Sequence, residues 1–540
     1  MHRYLSTVDL ASSIAASNRE NHLEKIGLLR EIEARAKAMS DKRKPVFEKR
    51  GQLSPRERLS ALLDPGMPFL ELYNLASYLV DDPDPDTSIP GANVIMGIGF
   101  VAGVRAMIMV DDAGISAGAM TEKTVEKVRG CFAKAERLKL PFIHCVESAG
   151  ANLMAYTAEL WAHGGGLFAG LARLSAAGLP VLTILHGAST AGGAYQPGLS
   201  DYVIGVKHNG MAMLAGSALV QAATGEKAQD HDLGGAEMHA ELTGLVDILA
   251  EDDRHAIALA RDVVAGLHWN EGNFRSDHKA YSPPSYSEEE LIAIVPCAYQ
   301  KPYDVREVIA RLVDGSEFLE FKPRFGVSTI CIKAYVMGHA VGIIGNNGPI
   351  DPQGANKVTH FLQTLDQSQT AAIFLNNTTG YMVGTASERA GMIKHGAKMI
   401  QTVTNMRVPK LSFYIGASFG AGNYGMCGLA FGPDFLFTWP NATTGVMGAE
   451  QAAQTMEQVA RRTAERKGVP VDAPRLQEQS NKLKEHFARQ ADAFYSSGRM
   501  LDHGMIDPRD TRRVIGFSLD TCAEAKMRDL QPNAFGVSRP

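Results

Sequence analysis

Two stretches of small residues are the parts of this 540-residue chain best suited to chemistry. Thr190-Ala191-Gly192-Gly193-Ala194-Tyr195 follows the apolar run Val181 to Leu185, and Gly420-Ala421-Gly422-Asn423-Tyr424 follows the run that begins at Val408-Pro409-Lys410-Leu411. In each, a buried strand is expected to end in a turn that opens a helix. Glycine lets backbone approach a ligand closely, and the first N–H groups of a helix lack partners inside it. Such a turn can therefore hold an oxygen that gains negative charge during a reaction. Two turns imply two such oxygens. Tight strand-to-helix packing explains either turn alone equally well, but the repetition favours function.

A rival chemistry is written over the second turn. Gly416-Ala417-Ser418-Phe419-Gly420 fits the Gly-x-Ser-x-Gly nucleophile elbow, His163-Gly164-Gly165-Gly166 fits an oxyanion motif of lipases, and the order Ser418, Asp434, His503 would suit a triad. Against it, the His-Gly-Gly-Gly run lies in the other half of the chain, where a single hydrolase sheet would not place it. No nucleotide-phosphate loop of the Gly-x-x-x-x-Gly-Lys-Ser/Thr type and no His-Glu-x-x-His helix occurs. No metal site is expected. His360, His395 and His503 read as surface or hydrogen-bonded residues, and Glu450-Gln451 as a helix start as readily as a catalytic carboxylate.

The elements that must position these turns occur twice. Short apolar runs (Val94 to Ile98, Ala106 to Val110, Phe142 to Cys145, Val181 to Leu185) alternate with helical stretches such as Glu122 to Leu138, which predicts α/β units with buried strands. Leu63-Asp64-Pro65-Gly66 followed by Phe69-Leu70-Glu71-Leu72 has a counterpart in Val313-Asp314-Gly315 followed by Phe318-Leu319-Glu320-Phe321, half a chain further on. The two glycine turns are a second matched pair, so the chain reads as one domain duplicated. The polar stretch Asn270 to Glu290 is the expected linker. Ahead of the first copy, Leu23, Ile26, Leu29, Ile32 and Ala36 recur at helical spacing and predict an amphipathic packing arm.

Composition bounds the partners. The chain has 54 basic and 59 acidic residues, a net charge of −5 and 45% apolar residues, which gives no basic face for nucleic acid or anionic membrane. The apolar runs are well short of the roughly 18 to 20 residues that a membrane helix needs. Six cysteines without a Cys-x-x-Cys pair suggest neither a zinc knuckle nor a disulfide framework. No secretory signal is read at the N-terminus, and a cytoplasmic protein is expected, or one of the mitochondrial matrix in a eukaryote.

With these motifs in place, the sequence resembles the carboxyltransferase β subunits of biotin-dependent acyl-CoA carboxylases along nearly its whole length. The resemblance is carried by Arg56-Glu57-Arg58-Leu59, Ser148-Ala149-Gly150-Ala151, Thr190 to Tyr195, Ala223-Thr224-Gly225-Glu226, Leu233-Gly234-Gly235-Ala236, Gly345-Asn346-Asn347-Gly348, Thr379-Gly380-Tyr381-Met382-Val383-Gly384, Gly420 to Gly428 and Trp439-Pro440-Asn441-Ala442. It implies an α/β fold of two tandem crotonase-like domains: a helical arm at 1–45, an acyl-CoA domain at 46–285 and a carboxybiotin domain at 286–540. The active site would lie between the first domain of one subunit and the second of a neighbour. By motif position, Gly192 and Gly193 would donate to the thioester oxygen, and Ala421 and Gly422 to the ureido oxygen of carboxybiotin. Ser148, Ala149, Gly150, Gly164, Ala191 and Gly216 would line the acyl-CoA side, and Thr379, Gly380, Gly420 and Asn423 the biotin side. Carboxybiotin can release CO2 once its ureido oxygen is stabilised and can then take the substrate proton, so no conspicuous acid or base is required.

Within the family, Gly420 to Gly428 resembles the branch acting on 3-methylcrotonyl-CoA and geranyl-CoA, a C–C bond-forming ligase activity; a saturated acyl-CoA such as propionyl-CoA is the alternative. Methylcrotonyl-type relatives carry an aromatic residue near Gly164, whereas Gly164-Gly165-Gly166 leaves room here and favours a longer, geranyl-like chain. Three departures stand out: Ser217-Ala218 for Pro-Pro, Asn376 for Gln, and Gly166 for a frequent Arg. The first could alter CoA contacts and the third could remove a charge near the pocket. No Ala-Met-Lys-Met biotinylation site occurs, so the resemblance implies a biotinylated biotin carboxylase α subunit as partner, which uses ATP, Mg and bicarbonate, around a β6 core in an α6β6 holoenzyme.

Overall fold

The computed structural model describes residues 1–271 and 280–537, apart from the side chain of Leu153. The chain opens with the two-residue strand β1 (His2–Arg3), followed by a long helix, Ser13–Asp41. Ile26, Leu29, Ile32 and Ala36 of that helix are buried, as the spacing predicts, but Leu23 is exposed and its neighbour His22 is buried instead. A polar contact explains the shift: His22 Nε2 lies 2.9 Å from the Val295 carbonyl, and Asn18 Nδ2 donates to Ala293 O at 3.0 Å.

Contacts divide the chain into two units. Glu31–Asp277 groups with Thr521–Pro540, and Met1–Arg30 groups with His278–Asp520. Where the sequence reads two continuous segments, each unit thus takes in an end of the chain that belongs to the other half. In the first of these units Glu524 reaches Arg105 at 2.9 Å. In the second, β1 pairs with the strand Glu317–Glu320.

The first unit is built on β2 (Leu70–Glu71), β3 (Val94–Val101), β4 (Val104–Asp111), β5 (Phe142–Val146), β6 (Val181–Leu185), β7 (Ala188–Thr190), β8 (Tyr202–Val206), β9 (Met211–Met213) and β10 (Ile248–Ala250). Seven of them form a sheet ordered β10-β8-β6-β5-β4-β3-β2, with β7 and β9 paired apart from it. β4 to β6, β8 and β10 are parallel, and β2–β3–β4 are antiparallel. All eight residues of β4 and all five of β5 and β6 are buried, as expected for strands covered on both faces.

The second unit repeats the plan with β11 (Glu317–Glu320), β12 (Thr329–Val336), β13 (His339–Asn346), β14 (Ala371–Thr378), β15 (Lys410–Phe419), β16 (Phe435–Thr438) and β17 (Thr443–Gly445), ordered β1-β11-β12-β13-β14-β15-β16 with β17 also on β15. The duplication extends to single hydrogen bonds. Asp64 accepts from the backbone N–H groups of Ala102 and Gly103 at the β3–β4 turn, at 2.9 and 2.7 Å, and pairs with Arg261. Asp314 accepts from Met337 and Gly338 at the β12–β13 turn, at 2.8 and 2.9 Å, and pairs with Arg512. Both turns place two residues at positive φ, which these paired acceptors hold in a tight hairpin.

The acidic end of the sequence-read linker is tied down. Residues 272–279 lie outside the description, but Glu288, Glu289 and Glu290 face Arg512, Arg509 and Arg311, and Ser285 N–H donates to Ser316 Oγ at 2.8 Å. The glutamate run forms ion pairs across one unit.

Each unit also buries a lysine at the same place, the sixth residue of a 16-residue helix: Lys127 in Glu122–Arg137 and Lys357 in Pro352–Gln367. Burial lowers the pKa of both. Lys127 Nζ donates to Val94 O at 2.9 Å and Gly91 O at 3.2 Å, whereas Lys357 Nζ has no hydrogen-bond partner among the described residues. Lys127→Met should therefore lower unfolding stability by about 1–3 kcal/mol, because it strands two carbonyls. Lys357→Met should be neutral or stabilising, because it removes a charged form that burial disfavours. The folded-state pKa of Lys357 lies below its unfolded value, so wild-type stability should rise with pH toward about 10.5, and the Met variant should lose that slope. Urea titrations of both variants at two pH values would read each outcome.

Candidate active site

The first glycine turn rests on a loop from the neighbouring strand. β6 ends at Leu185, β7 carries the chain to Thr190, and Ala191–Ala194 closes a 3-10 turn. Ser148, at the end of β5, brackets β7: its N–H donates to Ala188 O and its O accepts from Thr190 N–H, both at 3.1 Å. Gly193 packs so closely on this loop that a β carbon would stand 3.1 Å from Ser148 O, and one on Gly150 would stand 3.0 Å from Thr190 O. Ala191 is held at φ +51° and is exposed. Ser148 is 1% exposed, and its hydroxyl is committed to Gly118 O at 2.9 Å. Ala149 N–H donates to Ala117 O at 3.1 Å. The structure thus brings Ser148, Ala149, Gly150, Ala191, Gly192 and Gly193 together, with both hydroxyl and loop backbone serving the fold.

Gly164 and Gly216 flank this centre. Gly164 lies on the helix Ala158–Ala176, one turn before Phe168, and nothing stands within 4 Å of where its β carbon would be. Phe168 meets the turn itself: its ring tip is 3.4 Å from the β-carbon position of Gly192, and its ring contacts Tyr195 edge-on at 5.5 Å. Residues four apart share a helix face, so Gly164 bares the face that Phe168 occupies. The room read into Gly164-Gly165-Gly166 exists at the first two glycines only. A β carbon at Gly166 would lie 2.8 Å from Arg129 Nε, so a cation from the neighbouring helix fills that place. The Gly for Arg exchange therefore does not empty the region of charge. Gly216 caps the helix Ser217–Thr224 just after β9, the strand paired with β7. Ser217 N–H donates to Asp230 Oδ1 at 2.7 Å, a bond that the more usual proline could not make.

The second turn repeats the geometry with a different support. Gly420 adopts φ +54° at the end of β15, and Gly420–Gly425 forms a short helix. A β carbon on Gly422 would stand 2.7 Å from Gly380 Cα and 3.3 Å from Thr378 Cγ2, so Gly380, Gly420 and Gly422 converge while Thr379 and Ala421 remain exposed. Behind the turn runs a neutral chain of hydrogen bonds. Ser418 Oγ donates to Asn376 Oδ1 at 2.9 Å, Asn423 Nδ2 donates to Ser418 Oγ at 2.8 Å and to Tyr414 Oη at 3.1 Å, and Asn376 Nδ2 donates to Met426 O at 3.1 Å. Burial pushes the Tyr414 phenol up to about 12, so it stays protonated. The Asn423 side chain thus points into this support. Asn376, read from sequence only as a departure, is part of it.

The rival triad is not assembled. Ser418 is fully buried with its hydroxyl engaged, His503 Nδ1 accepts from Leu436 N–H at 2.8 Å, and Asp434 Oδ2 accepts from Lys410 N–H at 2.8 Å. An elbow nucleophile must be exposed at its turn. Among the remaining candidates, Glu450 opens the helix Ala449–Lys467 and pairs with Lys484, and His360 Nδ1 lies 2.9 Å from Lys322 Nζ.

Sequence reasoning missed one cluster. Under the first turn, Arg58 is fully buried; its Nη1 is 2.6 Å from Glu147 Oε2 and its Nε is 3.1 Å from Asp253 Oδ2, while Asp253 Oδ1 is 2.9 Å from His186 Nδ1. Burial alone would raise the Asp253 carboxyl, but His186 and Arg58 outweigh it and bring it to about 2. Burial, then Arg58, lowers His186. The signal was the Arg56-Glu57-Arg58-Leu59 motif, which served as a family marker and was not read as a buried cation.

Twin sheets that each deliver a glycine turn to a bare-backbone site define a crotonase-like carboxyltransferase with two domains. Residues 47–537 match the carboxyl transferase domain family, and the chain belongs to it as an enzyme of the acyl-CoA carboxylase type. It is 44% identical to a probable biotin-dependent acyl-coenzyme A carboxylase beta2 subunit of Mycobacterium tuberculosis, over 91% of each chain. It is 41% identical to the mitochondrial methylcrotonoyl-CoA carboxylase beta chain of Arabidopsis thaliana, over 91% of this chain and 84% of that one. The crystal structure of the P. aeruginosa geranyl-CoA carboxylase beta subunit matches with a TM-score of 0.93 and 45% identity, covering 100% of both chains.

Gly422→Ala should force the turn off Gly380 and reduce carboxyl transfer by about a hundredfold without loss of the folded state. Ser418→Ala should keep activity within about tenfold of wild type, where loss of a true nucleophile would cost on the order of a millionfold. Steady-state carboxylation rates of both variants, beside their melting curves, decide each.

Proposed function

We propose that this chain is the carboxyltransferase β subunit of a biotin-dependent carboxylase whose substrate is a branched α,β-unsaturated acyl-CoA, geranyl-like in length, with 3-methylcrotonyl-CoA next. The domain at 46–285 takes the acyl-CoA, the domain at 286–540 takes carboxybiotin, and residues 1–45 form an arm. The N–H groups of Gly192 and Gly193 hold the thioester oxygen as the substrate loses its γ proton, and that oxygen carries the charge of the extended dienolate. Ser148 to Gly150 supply no free acid or base, which suits a site that works by holding and placing the acyl group. At the second turn, the N–H groups of Ala421 and Gly422 hold the ureido oxygen, and Thr379, Gly380 and Gly420 shape the floor beneath it. The residues fit such a ligand: Gly422 packs closely on Gly380, and the turn offers backbone donors to an oxygen that would gain negative charge as carboxybiotin loses CO2. Carboxybiotin supplies the CO2 and the proton acceptor.

The observation that carries the substrate reading is the empty β-carbon position of Gly164 on the helix face that Phe168 shares with the first turn. The 45% identity to a geranyl-CoA carboxylase β subunit supports it. The partner is a biotinylated biotin carboxylase α subunit that uses ATP, Mg and bicarbonate. The assembly is α6β6 around a β6 core, in the cytoplasm or, in a eukaryote, the mitochondrial matrix. No described helix is long and apolar enough to cross a membrane.

An acyl-CoA panel with reconstituted holoenzyme, ATP and bicarbonate tests this reading. Geranyl-CoA should exceed 3-methylcrotonyl-CoA in kcat/KM, and Gly164→Phe should reverse the order by a factor of about 10–200, the range open to a change in pocket size. Faster carboxylation of 3-methylcrotonyl-CoA or of propionyl-CoA by the wild type would overturn the substrate assignment.

A further inference from the structure

The cluster under the first turn has no part in the chemistry just described, yet it lies against the turn's two supports. Glu147 is 6% exposed and immediately precedes Ser148; His186 is fully buried and immediately precedes Gly187, where the chain enters β7. The two meet at Gly187, whose β-carbon position is filled by the Glu147 carboxylate, with Cγ at 2.5 Å. A β carbon at 187 would force that carboxylate to shift. The loop's backbone is pinned from the other side as well, because Glu147 N–H donates to Asp111 Oδ2 at 3.1 Å, and Asp111 is 3.1 Å from His144 Nε2. Gln52 Nε2 holds His186 O at 2.8 Å, and Leu53 N–H holds Asp253 Oδ2 at 2.8 Å.

We propose that Glu147 is a positioning residue for carboxyl transfer: clamped by Arg58 and seated on Gly187, it sets the separation between the Ser148–Gly150 loop and β7 and so aims the Gly192 and Gly193 N–H groups. From its carboxylate to the turn the path is short: the Gly187 contact, the two 3.1 Å bonds between Ser148 and β7, and the packing of Gly193 on Ser148 O. A buried ion pair adds little net stability over an apolar equivalent, but it fixes geometry because both charges must stay in register. Arg58 ties Glu147 and Asp253 into one rigid group, so the loop and the strand are referenced to a common point.

The inference rests on the first turn being the thioester oxyanion site, and the experiment separates the two. Glu147→Gln, Glu147→Asp, Gly187→Ala, Gly193→Ala and Glu524→Gln are compared in the reconstituted holoenzyme. Glu524→Gln breaks a partly buried ion pair of the same unit that bonds Arg105 on β4 and touches neither loop nor turn. E147Q should lower kcat by about ten- to a hundredfold, as a turn misplaced by a fraction of an ångström would, with KM for acyl-CoA within about threefold. E147D should recover part of the loss, and E524Q should keep wild-type kcat at a comparable drop in melting temperature. G187A, which displaces the carboxylate without stranding a charge, should reproduce the kcat loss and carries the test if E147Q does not assemble. The proposal is overturned if E147Q or G187A keeps kcat within twofold, or if kcat follows melting temperature equally in E147Q and E524Q. Should G193A also keep full activity, the oxyanion reading fails; should G193A alone be inactive, only the role of Glu147 does.

Discussion

Everything in this structure follows from one constraint: a backbone N–H can stabilise charge on a ligand only if the fold leaves it unused and holds it still. Amides are free in the first turn of a helix, but a short helix after a strand is not rigid by itself. Both turns gain stiffness by contact of backbone with backbone. Gly193 lies on the Ser148 carbonyl and Gly422 on Gly380, where a β carbon would stand at 3.1 and 2.7 Å. Glycine at these two positions answers to what lies behind the turn.

The duplicated units meet that constraint by different means. Under the first turn stands an ionic group, Arg58 with Glu147, Asp253 and His186; under the second stands a row of neutral donors and acceptors, Asn376, Ser418, Asn423 and Tyr414. Each support is closed on itself: Arg58 bonds both Glu147 and Asp253, and Asn376 ends the neutral row on the Met426 carbonyl.

The fold was legible in the sequence where the physics is local or repeated. Buried parallel strands show as apolar runs, and the Asp64 and Asp314 motifs proved to be hairpin acceptors with equivalent arginine partners. Both turns were found from their glycines. What stayed hidden depends on contacts between distant residues: Glu147 meets Arg58 across 89 positions, and Ser418 meets Asn376 across 42. The nucleophile-elbow motif is silent on burial for the same reason, since five residues cannot reveal whether a serine faces solvent or a buried asparagine. The amphipathic stripe of the first helix shifted from Leu23 to His22 because a buried carbonyl offered the imidazole a partner, which no hydropathy pattern records.

The departures from the family pattern read differently once their surroundings are known. Each looked like a loss at its own position, but two are compensated nearby: Arg129 brings a cation to the space beside Gly166, and Asp230 takes up the N–H that Ser217 has and proline lacks. Asn376 closes a hydrogen-bond chain and is fully buried. Gly164 is different, because nothing stands within 4 Å of its β-carbon position, one helix turn before Phe168. Of the glycines on that turn of the helix, Gly166 is therefore filled by Arg129, whereas Gly164 is left open at its β-carbon position.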